Sequence, residues 1–169
     1  MRSQRLIALV IALAVASFGA WWVINGRHHG GGDSIIVYYT KTDGTTEVPW
    51  RVSLGPARDP KSVAFYAAAQ ALAGPSSDIE AIRFPAGTHV RAVEIDGSAV
   101  DVDLSNEVVK SAEGGLAETA EFKALVWTLT DPKTLPGIAA VRIRVDGTRV
   151  ATLPGGHFEL DEPLSRSTF

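Results

Sequence analysis

Apolar and polar residues alternate through residues 89–105, HVRAVEIDGSAVDVDLS, and this two-residue period predicts a pair of strands. One face carries Val93, Ile95, Val100 and Val102, and the other carries Glu94, Asp101 and Asp103. Asp96-Gly97 between them is a dipeptide that tolerates positive φ, so it is expected to form the hairpin loop. That register sets Ile95 against Ser98, Val93 against Val100 and Arg91 against Val102. Similar alternation predicts strands over 35–40 and 48–54 around Asp43-Gly44, and over 138–145 and 148–153 around Asp146-Gly147. Pro49 cannot donate to a ladder, so its strand is expected at an edge or with a bulge.

The period changes to that of a helix after residue 58. Asp59 suits an N-cap, Pro60 the first helical position, and Gly74-Pro75 a stop. Val63, Tyr66, Ala67 and Gln70 form one stripe, with Phe65, Ala69 and Leu72 on the adjoining one, and both are assigned to core packing. Residues 106–115 read as irregular or as a short helical turn. A second helix is predicted over 116–130, with Glu118 and Glu121 near its positive end. Phe122, Leu125, Val126 and Leu129 repeat at helical spacing beside Trp127, and Asp131-Pro132 ends the run. The order strand, strand, helix, hairpin, helix, hairpin predicts an α+β fold: a largely antiparallel sheet with two main helices packed on it.

One segment lies outside that pattern. Residues 6–24 are uncharged and almost wholly apolar behind Arg2 and Arg5, and as a helix would span roughly 28 Å, close to a bilayer core. Trp21 and Trp22 fall where an interfacial aromatic belt would sit. Ala14-Val15-Ala16 fits a signal-peptide cleavage site, but apolar character continues well past it. The favoured reading is an uncleaved signal anchor over 1–24, its amino terminus cytoplasmic by the positive-inside rule. A Gly-rich tether over 25–34 and a single extracytoplasmic domain over 35–169 follow. If the signal is cleaved, the domain is secreted.

Charge and chemistry narrow the function. Of the 16 Lys and Arg, three precede Asp33 and none of the 19 Asp and Glu does, so the remaining 137 residues carry a net charge of −6. Such a body lacks the clustered basic surface that nucleic acid requires. Cysteine is absent, which excludes disulfides, thiolate chemistry and a lipoprotein anchor. There is no Gly-x-Ser-x-Gly, Walker loop or dinucleotide-binding pattern, and no cofactor is expected. His28 and His29 sit on the tether, and His89 and His157 stand alone, so no metal site is expected.

Asp101 and Asp103 are the strongest enzymatic candidates, roughly 6–7 Å apart on one strand face. Carboxylates at that separation serve glycoside hydrolysis, but neighbours on one strand point in parallel and do not flank a bond. The favoured alternative is a binding surface: Glu94, Asp101 and Asp103 on an exposed acidic face, with Tyr39 or Trp50 as aromatic anchors.

Several segments together resemble the GerMN domain, the sporulation and spore-germination module of exported bacterial proteins. They are VYYTKTDGTTEVPW (37–50), AAAQALAGPSSD (67–78), PAGTHVRAVEIDGSAVDVDLSNEV (85–108), ALVWTLTDP (124–132), VRIRVDG (141–147) and EPLSRSTF (162–169). The resemblance implies an α+β binding or assembly module of the cell envelope without an established active site. Its partner would be an envelope protein or peptidoglycan. A small envelope glycan hydrolase using Asp101 and Asp103, or a structural subunit of an envelope assembly, are the alternatives. The chain departs from many relatives in lacking the lipoprotein cysteine.

Overall fold

The computed structural model describes residues 34–76, 79–110, 115–154 and 158–169. Residues 1–33 of the segment read as membrane anchor and tether, and His157, lie outside the described residues, while Ser34, read as the last tether residue, already belongs to the first strand. Among the described residues no helix is long and apolar enough to cross a membrane.

Strand β1 (Ser34–Thr40) buries Ile35, Val37 and Tyr39 in strict alternation and pairs antiparallel with β2 (Glu47–Ser53). Tyr38 faces Pro49 in the register. The N–H of Tyr38 donates away from β2, to Thr128 Oγ1 at 2.9 Å, so this pair is one that makes no ladder bonds and the missing N–H of Pro49 faces outward. The edge position expected from Pro49 is therefore observed, in a sheet of two strands. The other edge of β1 is satisfied by the side chains of Thr128 and Thr134 and, at Thr40 O, by Ile82 N–H at 2.9 Å. Ile36 N–H donates to Thr134 Oγ1 at 3.0 Å, Thr134 Oγ1 returns a bond to Ile36 O at 3.1 Å, and Thr40 Oγ1 donates to Ala120 O at 2.9 Å.

Helix α1 (Pro60–Ala73) begins and ends as its punctuation predicts. Asp59 accepts from Ser62 N–H at 3.0 Å and also from the Ser62 hydroxyl, and Gly74 closes the helix at φ 75°. Its small residues Ala64, Ala67, Ala68 and Ala71 are buried, which lets it lie close to its neighbours.

Strands β3 (Val90–Asp96) and β4 (Ala99–Leu104) form the central hairpin, with a register different from the expected one. Asp96 pairs with Ala99, Ile95 with Val100, Glu94 with Asp101 and Val93 with Val102. The loop is thus Gly97-Ser98, with Gly97 at φ 58° in the first central position, the arrangement of a type II′ turn. This register sets apolar residues directly against one another, whereas the expected one put Ile95 against Ser98 and Arg91 against Val102. A bulge at Arg91 separates the pairs of Val90 and Ala92.

A short 3₁₀ helix (Asn106–Lys110) leads toward α2 (Gly115–Leu129) and then β5 (Ala140–Val145). The hairpin to β6 (Thr148–Arg149) turns on Asp146-Gly147, both at positive φ, as expected for a type I′ turn. The strand predicted over 148–153 stops at Arg149. Among the described residues three of the four strand pairings are antiparallel, in keeping with the expected fold, but the single sheet is corrected and one pairing is an exception. The strands form two sheets, and β4 and β5 at the centre of the order β3-β4-β5-β6 run parallel. The reason is α2, a crossover that carries the chain from the Leu104 end of β4 back to its Ala99 end before β5 begins. Phe122, Leu125, Val126 and Leu129 of α2 are completely buried together with Val100, Val102 and Val141.

The C-terminal segment packs back on this core. Leu164 bridges to Val141, and Phe169 stacks on Phe158, which stacks on Phe122. Arg166 lies over Trp127 and Tyr38 with its guanidinium 4.6 and 5.4 Å from the ring centroids.

Candidate functional site

The outer face of the four-stranded sheet carries the three carboxylates expected there, but β5 changes its chemistry. Parallel pairing sets Arg142 beside Asp101 and Arg144 beside Asp103. Asp101 Oδ2 lies 3.4 Å from Arg142 and 3.9 Å from Arg144, and the residue is only 9% exposed. Asp103 pairs with Arg91 at 3.4 Å and accepts from Gly147 N–H at 2.7 Å, while Arg91 also meets Asp146 at 3.0 Å. Glu94 faces Asp101 across the hairpin, remains exposed, and pairs with Lys61 at 2.6 Å. The face expected to be acidic is thus a lattice of opposite charges. The arginines are plain in the sequence; their place beside Asp101 and Asp103 follows from the parallel pairing, which is not.

The aromatic anchors fall elsewhere. Tyr39 and Trp50 belong to the two-stranded sheet, so the structure does not join them to the carboxylates of the other sheet. Tyr39 is 4% exposed, and its hydroxyl reaches Gln70 O at 3.5 Å. Burial pushes its phenol above the ordinary range, opposed in part by Arg83. It is a core residue. Trp50 stands 48% exposed on β2.

A third feature, unmarked by sequence reasoning, is an open groove of about 510 Å³ between the start of α1, the loop before it and β3. Pro56, Ala57, Phe65, Tyr66 and Val93 give it an apolar lining, with Lys61 and Asp59 at its polar margin. Phe65 is 41% exposed, against its assignment to the core. The loop is held by Arg58, whose guanidinium donates to Gly55 O and Ala57 O, each at 2.7 Å. Asp59 is occupied as N-cap, and its bonds from Ser62 hold its carboxyl below the usual carboxylate range. One signal for the groove does exist in the sequence. The two adjoining apolar stripes of α1 are wider than one contact face can cover, so part of the second is left over.

Among the described residues no three His, Cys, Asp or Glu side chains gather as metal ligands. What the arrangement offers chemically is an apolar groove with a charged margin, beside carboxylates already engaged by arginines.

A family model described as "Germane: Sporulation and spore germination" matches residues 36–151. Among solved structures, the tandem GerMN domains of the sporulation protein GerM from Bacillus subtilis superpose with a TM-score of 0.62 at 24% identity, over 79% of this chain and 46% of that one. The first GerMN domain of that protein gives 0.60 at 25% identity, over 79% and 98% of the two chains. A putative lipoprotein from Clostridium perfringens gives 0.57 at 21% identity, over 79% and 86%. This chain therefore spans about half of the tandem structure, and the likenesses below 25% identity show the fold alone. No curated protein matches significantly. The matched span holds both helices, the central hairpin and the parallel strand that follows, and on that ground the chain belongs to the Germane family of sporulation and spore germination domains.

Proposed function

We propose that the chain is a membrane-anchored, extracytoplasmic and non-catalytic Germane module that binds a protein or cell-wall partner in the bacterial envelope. The observation that carries this reading is a contrast. Asp101 and Asp103 are engaged by Arg142, Arg144, Arg91 and the Gly147 amide, while the apolar groove beside Phe65 is open. A glycan hydrolase needs opposed carboxylates across a cleft, and these two project side by side from one strand onto arginines. Exposed aromatic and apolar groups in a concavity are what a binding site requires. Residues 6–24 supply the anchor in this reading, and Glu94 contributes to the margin of the binding surface.

The test has two arms. A photo-crosslinking residue in place of Phe65, in the full-length chain in growing cells, is expected to give discrete adducts with an envelope component, and one in place of exposed Asp161 none. Purified full-length chain incubated with purified wall is expected to release no soluble fragments. Turnover that Asp101→Asn or Asp103→Asn abolishes would overturn the non-catalytic reading. Added protease that fails to reach the domain on spheroplasts would overturn the topology.

A further inference from the structure

β3 is the outermost strand of its sheet, and among the described residues no backbone bond reaches it from the side away from β4. Alternate peptide N–H and C=O groups between Ala92 and Asp96 therefore point outward from the sheet. The bulge at Arg91 distorts the start of β3 and leaves this stretch in regular register. The groove lies beside the same strand, since Val93 from its middle lines it together with Phe65 and Tyr66 of α1.

Lys61 comes from the helix layer and Glu94 from the opposite face of β3, so their ion pair passes around the strand's free edge. The two side chains are 57% and 65% exposed, a loose strap that a competing charge displaces. Beyond it, Asp96 is 76% exposed and shares Arg142 with Asp101. The edge of β2 differs: Pro49 removes one of its outward donors.

We propose that the free edge of β3 takes an extended peptide of a partner protein as a fifth strand, one whose side chains alternate apolar and basic. This deepens the binding-module reading and rests on it. A strand added there hydrogen-bonds through its backbone and sends successive side chains to opposite faces. Those directed inward enter the groove against Phe65 and Tyr66, with Val93 buried at its floor, which fixes them as apolar. Those directed outward come beside Glu94 and Asp96, which fixes them as lysine or arginine once Lys61 has swung aside. Neither a saccharide nor an acidic peptide satisfies both requirements.

The probe is a fluorescein-labelled peptide of about eight residues alternating valine or leucine with lysine, long enough to pair along 92–96. It is titrated against the full-length chain in nanodiscs of zwitterionic lipid. Saturable binding is expected. Methylating the backbone nitrogens of one or the other alternate set should weaken it at least about tenfold for one of the two sets, as should glutamate in place of lysine. Phe65→Ser and Glu94→Lys should each weaken it at least about fivefold with the thermal midpoint unchanged, since both residues are exposed. Amide exchange should slow on binding within 92–96. Absence of saturable binding, equal binding of both methylated forms, or protection confined to another strand would each overturn strand addition. If adducts form at position 65 in cells while the lysine peptide fails, the binding reading stands and the fifth strand falls.

Discussion

Arg166→Ala tests how much one side chain adds to the fastening of the C-terminal segment, beside the Leu164–Val141 bridge and the Phe169 stack. The guanidinium donates from Nε to Thr130 Oγ1 at 3.1 Å and from Nη2 to Trp127 O at 3.0 Å, and lies 3.6 Å from Asp131, whose side chain is 8% exposed. It also covers the Trp127 and Tyr38 rings. A hydrogen bond from a charged donor contributes about 1.5–3 kcal/mol, and a cation over an aromatic ring about 0.5–1 kcal/mol at an exposed site. The arginine side chain is 37% exposed, so solvent screening takes each figure toward its lower end. Truncation should therefore cost about 2–4 kcal/mol, which for a domain of this size lowers the melting midpoint by about 6–15 °C. Arg166→Lys should recover less than half, because one ammonium cannot serve both acceptors and stack on two rings. Tryptophan fluorescence follows the transition, since Trp127 lies under the arginine. A cycle with Asp131→Asn should give a coupling of at least about 1 kcal/mol. A shift below about 2 °C, or strict additivity with Asp131→Asn, would refute the reasoning.

Three further expectations follow from the fold. Leu129→Ala, at a completely buried site on α2, should cost about 2–5 kcal/mol in urea unfolding, and an unchanged midpoint would remove that helix from the core. Gly97→Val should destabilise by about 1–2 kcal/mol through backbone strain alone, because φ is 58° and nothing lies within 4 Å of an added Cβ; Ser98→Gly, checked in the same melts, should be far milder. The carboxyls of Asp43, Asp59 and Glu107 are held below their ordinary range, chiefly by hydrogen bonds from the Thr45 and Thr46 amides, the Ser62 side chain and the Ser105 side chain respectively. Depressed values stabilise the fold above the unfolded-state pKa of about 4 and lose that contribution as pH falls through the folded values, so melting midpoints should hold from about pH 5 to 8 and drop below about 4; Asp43→Asn should flatten the acid limb, and a midpoint constant down to about pH 2 would contradict the assignment.

How far the sequence could be read depended on the range of the interaction. The limits of α1 were readable because Asp59, Pro60 and Gly74 act on neighbours within a turn. Asp146-Gly147 was readable for the same reason, as both of its residues sit in one type I′ loop. Asp96-Gly97 misled by one position, because a glycine can open a type II′ loop as well as close a type I′ one and only the pairing of Ile95 with Val100 decides. The neutralised face was out of reach at Asp101, since Arg142 and Arg144 lie about forty residues downstream and arrive through a parallel pairing that no local pattern announces, whereas the partner of Asp103, Arg91, stands on the neighbouring strand of the same hairpin, displaced by the bulge. The groove was harder to read because Phe65 has the spacing of a core residue, and whether a second apolar stripe is covered depends on which distant elements pack on α1.

The threonine bonds along β1 set a timetable for the young chain. Ile36 and Tyr38 find their partners 98 and 90 residues downstream. Until Thr128 and Thr134 have left the ribosome, the first hairpin therefore shows a sticky row of amides and carbonyls on one side and an apolar stripe of Ile35, Val37 and Tyr39 on one face. At ordinary elongation rates of about 5–20 residues per second that interval lasts about 5–20 seconds, during which the segment has to be kept from its neighbours. Slowing synthesis between codons 60 and 134 should therefore raise the insoluble fraction while leaving the finished molecule no less stable.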